Sequence, residues 1–390
     1  NVTFGGQVSL GTTSALGGSG VFINNNGQAS DIAFTGGLEI ETGGAPGFDV
    51  RNGGSISVAA AGTRTIWTGG ATAFFLQNTS IGSDGLNFDS IESVGSGPFS
   101  GIDVSSVDTS AGGISIGSAT LSGSLSRAID LENVTGANGF SLTAADIDLG
   151  IGGTGVFIGG ANGTISIGTG TANGITGLKI DDGDQGVRID QTSGTVNLGT
   201  TSTGVVEIGT TAQLNIVALQ VGTNAGGTIN IGNTTNQSRF DAAFNAVASY
   251  DADATTTFTN ISAESQTSTA VVVVDNDGVG ETRFENGLAI STTGGTGLSI
   301  QSARVSVASA PGLNTLNVTG NGVGMILNNA TIGTAGLHFD TVNIATQSIG
   351  ISIAGTTGGG DIVFGDVDIN GTNTGTQAIR IAGTASNNIT

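Results

Sequence analysis

Cysteine is absent from the 390 residues, so no disulfide can staple this fold, and the lack of thiols by itself assigns no redox compartment. Proline occurs 3 times, methionine, tryptophan, tyrosine and histidine once each, and lysine only at Lys179, a composition unlike that of ordinary cytosolic enzymes. No window approaches the roughly eighteen uninterrupted apolar residues of a membrane-spanning helix, so no direct insertion of this segment into a bilayer is expected. Basic residues are scarce: 9 Lys and Arg stand against 30 Asp and Glu, for a net charge of −21. A polyanion of that size is not expected to grip nucleic acid or anionic lipid through phosphate contacts, which leaves cationic groups and metal ions as the electrostatically permitted partners.

What the chain does have is glycine, 70 residues of it, beside a hydrophobic fraction of 37% and a positive mean hydropathy. Such a chain has apolar surface to bury and is expected to fold rather than remain disordered. It also repeats itself. FLQNTSIGSDGLNFDSI at Phe75–Ile91 returns as ILNNATIGTAGLHFDTV at Ile326–Val342. Upstream, GLEIETGGAPGFDV (Gly37–Val50) matches GLAISTTGGTGLSI (Gly287–Ile300), and SISV (Ser55–Val58) lines up with RVSV (Arg304–Val307) after a one-residue slip. The pattern reads as an internal duplication of 37–91 in 287–342, within one continuous repeat array over 1–390. Both ends of the chain are written in the same idiom without an evident cap, so it is expected to be a piece of a longer polypeptide.

The local unit is Gly-Ø-x-Ø, with Ø apolar, as in GLNF at Gly85, GIDV at Gly101, GLKI at Gly177, GLSI at Gly297 and GLHF at Gly336. Alternation over so few residues makes a short strand with one face inward, and the intervening GG, NG, TG and DG pairs turn the chain after it. A hairpin meander uses similar turns but joins longer strands through two-residue loops. Short strands with longer, irregular linkers suit an all-β parallel β-helix, or β-solenoid, expected to be right-handed, with two or three strands in each coil of roughly 20 to 30 residues. Leu38, Val50, Leu86, Phe88, Leu178, Ile180, Leu298, Ile300, Leu337 and Phe339 are then core residues, and the residues between them should face water. One stretch, 233–277, lacks glycine altogether. It reads as wider, better-packed coils or a short lateral excursion, with a module junction as the alternative.

In idiom the repeats resemble the pectate-lyase-like right-handed β-helix superfamily, and more closely the glycine-, asparagine- and threonine-rich repeats of large bacterial exoproteins and autotransporter-type adhesin passengers. That resemblance implies a β-helix that is either a polysaccharide-cleaving enzyme or a non-catalytic adhesin or stalk. For an enzyme, the best local cluster is LKIDDGDQGVRID, where Asp181, Asp182, Asp184 and Arg188 could share acid–base roles or bind a cation beside Lys179. The glycine-histidine-glycine and arginine-isoleucine-lysine motifs of polygalacturonase-like members are missing. The only histidine, His338, stands where the first copy has Asn87, as expected of a surface residue.

No cofactor is expected, and metal binding is limited to weak calcium on an acidic surface. VDNDGVGE (Val274–Glu281) lacks the first and twelfth ligands of an EF-hand loop, and GGGDIVFGD (Gly358–Asp366) is a single partial echo of a calcium-binding repeat. Trp67 aligns with Val318, which places it in the core or at a coil corner. Asn-x-Ser/Thr triplets at Asn78, Asn133, Asn162, Asn260, Asn317 and Asn329 follow from the abundance of those residues. The reading that unites these features is an exported, extracellular or cell-surface, non-catalytic rigid segment, whose partners are further coils or copies of the same protein and cell-surface glycans. The alternative is a polysaccharide-active lyase or hydrolase.

Overall fold

A computed structural model describes residues 1–390 except 28–29, 96, 124, 151, 211–213, 215, 223–224, 276–279, 321, 347–348, 372–376 and 384–386. The protein is an all-β parallel β-solenoid, a β-helix, of about 13 turns, with no helix among the described residues. The turns divide between two compact units, one of 1–187 with 191–199 and one of 188–190 with 200–390. Each turn has three sides. In the first unit one turn consists of the strands Phe48–Arg51, Ser55–Val58 and Arg64–Thr68, and the single strand run Phe74–Val94 then covers all three sides of the next.

Every turn lies in register on its neighbour. Phe48 pairs with Phe74, Phe74 with Ile102, Ile102 with Ile129 and Ile129 with Val156, so one turn takes 26 to 28 residues. In the second unit Val247 pairs with Val271, 24 residues on, and Val271 with Leu298. The glycine-free stretch therefore contains a short coil, not a wide one. Its corners persist without glycine because Asp251 (φ 51°) and Asn260 (φ 52°) enter the left-handed region, where a short polar side chain is tolerated.

The two similar segments pair alike. Ile56 meets Ile81, then a bulge shifts Val58 onto Leu86; Val305 meets Ile332, then a bulge shifts Val307 onto Leu337. The corner within each bulge is turned by glycine, Gly85 at φ 75° and Gly336 at φ 81°, where a β-carbon would be strained. Trp67 shows that the register here differs from the ungapped alignment. Ile66 and Thr68 point inward as Leu316 and Val318 do, so Trp67 occupies the outward position of Asn317 and is neither core nor corner.

All ten predicted core residues are buried in strands. Their intervening residues are less exposed than alternation alone suggests: Asp49 is 2% and Ser299 6% exposed, and Glu39, Asn87, Lys179 and His338 are half-buried. The cause is the stacking itself, since each outward side chain is flanked about 4.8 Å above and below by those of neighbouring turns. Nor is the interior wholly apolar. Thr42, Thr68 and Ser93 form an inward hydroxyl column, and Thr68 and Ser93 donate to the Ala71 carbonyl at 2.9 and 3.0 Å, satisfying a corner that strand pairing leaves open.

One hairpin interrupts the parallel scheme of the first unit. Thr171–Ala172 pairs antiparallel with Ile175–Thr176, and Asn173 between them donates to the Asp89 carbonyl at 3.2 Å and to Ser118 Oγ at 2.8 Å, reaching back across several turns. One core cluster of that unit is aromatic. Phe48 and Phe74 stack at 5.7 Å, and Phe88 meets both edge-on at 5.7 and 5.5 Å. Replacing Phe74 with alanine removes a fully buried ring that two others contact, so Phe74→Ala is expected to destabilise the unit by about 3–5 kcal/mol. A denaturant titration reads this, and a loss below about 1 kcal/mol would mean the cluster is not packed as described.

Candidate functional site

Because partners in parallel register are equivalent residues, outward side chains form columns, and a column's chemistry is set by residues about 27 apart in sequence. The first side of unit one carries Phe22, Asp49, Phe75, Asp103, Asp130 and Phe157 in one column, and Asn24, Arg51, Gln77, Ser105, Glu132 and Gly159 in the next. Two arginines organise it. Arg51 donates through Nε to Asp49 at 2.8 Å and lies over the Phe75 ring at 4.5 Å. Arg127 reaches Asp130 at 2.9 Å and Glu132 at 3.0 Å, and caps the Phe157 ring at 3.7 Å.

Between these arginine clamps Asp103 faces Asp130 in register. Burial, then the charges of Asp130 and Glu132, push the Asp103 carboxyl up to about 6, and burial also raises Asp130, against the pull of Arg127. The pair therefore presents a carboxyl that gives up its proton near pH 6 beside a second one held by arginine, an arrangement able to donate and accept a proton. The second unit holds a simpler analogue: Asp241 lies in register with Glu264, and burial followed by the Glu264 charge raises it to about 6.

Alongside the column runs an open groove of about 550 Å³, lined by Asn78, Ser106, Asp108, Asn133 and Thr135 with Gly53 and Gly54. It runs along a corner at which Asn78, Ser106 and Asn133, like Asn25 and Asn52 on the preceding turns, adopt φ between 47° and 55°. Asn78 donates to the Asn52 amide oxygen at 3.0 Å, and Asn133 accepts from the Ala161 N–H. Asp108 is lowered by hydrogen bonds from the Ser110 hydroxyl and backbone. The result is a polar trough of amides and hydroxyls repeating about every 4.8 Å beside two aromatic rings. It also accounts for the triplets at Asn78 and Asn133, whose asparagines serve a left-handed corner, as do Asn260 and Asn329.

The cluster expected from sequence divides differently. Lys179 lies 2.8 Å from Asp181 and 3.7 Å from Asp146, the neighbour in register. Asp182 occupies a left-handed corner at φ 58°, raised by burial and by the charges of Asp148 and Asp181. Asp184 is half-buried in the first unit, whereas Arg188 belongs to the second and pairs with Asp190 at 2.7 Å. Among the described residues no group of three metal-ligating side chains could hold an ion. Of the loop Val274–Glu281, Asp277 and Gly278 lie outside the described residues, while Asp361 and Asp366 of Gly358–Asp366 are exposed. His338 is half-buried on an outward face, in register with Val363.

These features define a class of protein, a parallel β-solenoid with one charged and aromatic side and a polar corner trough. Compared with family models, curated proteins and solved structures, the chain finds no match.

The raised carboxyls set a pH dependence whose sign is opposite to that of a salt-bridged aspartate. Asp103 holds its proton in the folded state up to about pH 6 and in the unfolded state only to about 3.8, so its contribution to stability is present below pH 4 and lost as pH rises through 6. Asp103→Asn should stabilise the first unit at pH 7 by on the order of 1 kcal/mol and flatten its stability between pH 4 and 6. Melting profiles across that range test this; an unchanged pH slope in the variant would show that the carboxyl is solvated.

Proposed function

We propose that the chain is an exported, non-catalytic segment of a β-helix related to the pectate-lyase-like superfamily, working at the cell surface as a rigid stalk, adhesin or filament building block. The observation that carries this reading is the in-register stacking of three-sided turns within each unit, because it converts residues into length: each turn, 24 residues from Val247 to Val271 and 33 from Ala145 to Leu178, adds about 4.8 Å. Hydrogen-bonded ladders on every side, with aliphatic and aromatic columns inside them, resist bending in a way that a domain with one core and flexible loops does not. The arginines of the first side are committed to neighbouring carboxylates, which favours a structural use for them over a catalytic one.

Export is supported by the resemblance of the glycine-, asparagine- and threonine-rich repeats to bacterial exoproteins. The proposed partners are further coils or copies of the same protein, which can extend the strand ladders, and glycans, whose hydroxyls suit the amide-lined trough. No cofactor is required, and calcium would bind only weakly to the acidic surface.

One observation favours the enzymatic alternative, a polysaccharide lyase or hydrolase. Asp103 and Asp130 are neighbouring carboxyls with raised proton affinities beside a groove, and they make a better acid–base pair than Asp181, Asp182, Asp184 and Arg188. Incubation with acidic and neutral polysaccharides separates the readings. No new reducing or unsaturated ends are expected from the intact chain, and replacing Asp181, Asp182 and Asp184 by asparagine and Arg188 by glutamine should change nothing. Cleavage that disappears in those variants, or in Asp103→Asn with Asp130→Asn, would promote the alternative. Electron micrographs of native material distinguish filament from isolated stalk, and compact globular particles would refute both structural roles.

A further inference from the structure

The single tryptophan sits where a stacked fold has no need of one. Trp67 is half-buried on the outward face of the strand Arg64–Thr68, with Ile66 and Thr68 turned inward on either side of it. Its partners in register are both acidic, Glu41 on one neighbouring turn and Glu92 on the other. The indole folds along the strand over Gly69, where a β-carbon would stand 2.7 Å from the Gly43 carbonyl oxygen and 2.9 Å from the Trp67 Cη2.

The equivalent turns of the second unit serve as an internal control. There the same three positions, again in register, are Ser291, Asn317 and Asn343, and Thr319 replaces Gly69. The scaffold thus forms without the aromatic ring, without either carboxylate and without the glycine. The cations nearest in sequence and along the column are engaged elsewhere. Arg64 is bonded to Asp89, and Lys179, further along the column through Thr120 and Asp146, lies against Asp181 and Asp146. In the adjacent outward column Thr65 and Ser90 carry no charge, and Glu39, in register with Thr65, adds a further carboxylate and no cation.

We infer that Glu41, Trp67 and Glu92 form a docking site for the lysine side chain of a partner protein. Charge complementarity selects the occupant. Two carboxylates flanking an indole face offer an ammonium group hydrogen-bond acceptors on both sides and a π surface between them, and the lysine methylene stem can lie along the ring while its head remains hydrated. A primary ammonium fits better than a quaternary one because it has N–H groups to donate to the carboxylates. It fits better than a guanidinium because the two acceptors belong to separate turns rather than to one planar carboxylate. In a chain with a net charge of −21 and one lysine of its own, such a site selects a basic partner rather than another copy of this chain.

The chain's only tryptophan is its own reporter. Titrating the full chain with Nα-acetyl-lysine amide should give a saturable change in tryptophan emission that the norleucine analogue and sodium chloride at matched ionic strength do not reproduce. Glu41→Gln with Glu92→Gln should weaken the apparent affinity by about fivefold, as expected when two exposed ion pairs are lost. Asp366→Asn with Asp368→Asn, which removes the same charge from exposed positions in the other unit, should leave it unchanged. Glu41→Ser with Glu92→Asn, the residues the second unit carries, repeats the test in side chains the fold accepts, and an unaltered melting curve shows that the turn is intact. An equal response to salt, tighter binding of tetramethylammonium than of the lysine amide, or undiminished affinity in both double variants would overturn the assignment.

Discussion

Everything in this protein depends on one spacing, the roughly 4.8 Å at which each residue lies over its equivalent in the next turn. The spacing is imposed by backbone N–H and C=O groups that find partners only in adjacent turns, and it leaves side chains little choice of neighbour. An inward phenylalanine meets what the next turn places there, as Phe258 meets Phe284 at 5.1 Å with nearly parallel rings. An outward aspartate likewise meets the residue in register, whether Phe75 or Asp130 for Asp103. Favourable and unfavourable pairings are multiplied alike, because every residue has two such neighbours.

The outward columns show the cost and the remedy. Burial first, and then the like charge in register, make Asp103 beside Asp130 and Asp241 beside Glu264 hold their protons more tightly. Where arginine is available it bridges within the strand, as Arg51 does to Asp49 and Arg188 to Asp190. These short-range pairings leave the large net charge mostly unneutralised, which keeps the faces hydrated and apart at low salt.

The β-helix was legible in the sequence because its signals are local. Gly-Ø-x-Ø at Gly85, Gly177 and Gly297 announces both a strand and its corner, and the buried Leu86, Leu178 and Leu298 follow directly. Outward columns were not legible, because Asp103 and Asp130 become neighbours only once the coil length is known, and coils here vary from 24 residues between Val247 and Val271 to 33 between Ala145 and Leu178. The expected cluster at Asp181–Arg188 was a cluster in sequence, and sequence proximity is a poor guide when the nearest neighbours lie a whole turn away. Trp67 was misplaced by a single residue for the same reason: an alignment offset of one reverses inside and outside in a strand.

The small hairpin at 171–176 alters how the first unit assembles. In a pure stack each turn touches only its neighbours, so folding can start anywhere and spread by addition, with stability close to a sum over adjacent pairs. Asn173 breaks that rule by bonding to residues 84 and 55 positions earlier in the chain. Such a strap can close only after the intervening turns have stacked. It therefore adds a late, high-contact-order step and ties those turns into one cooperative block, which unravels together where an unstrapped stack would fray turn by turn.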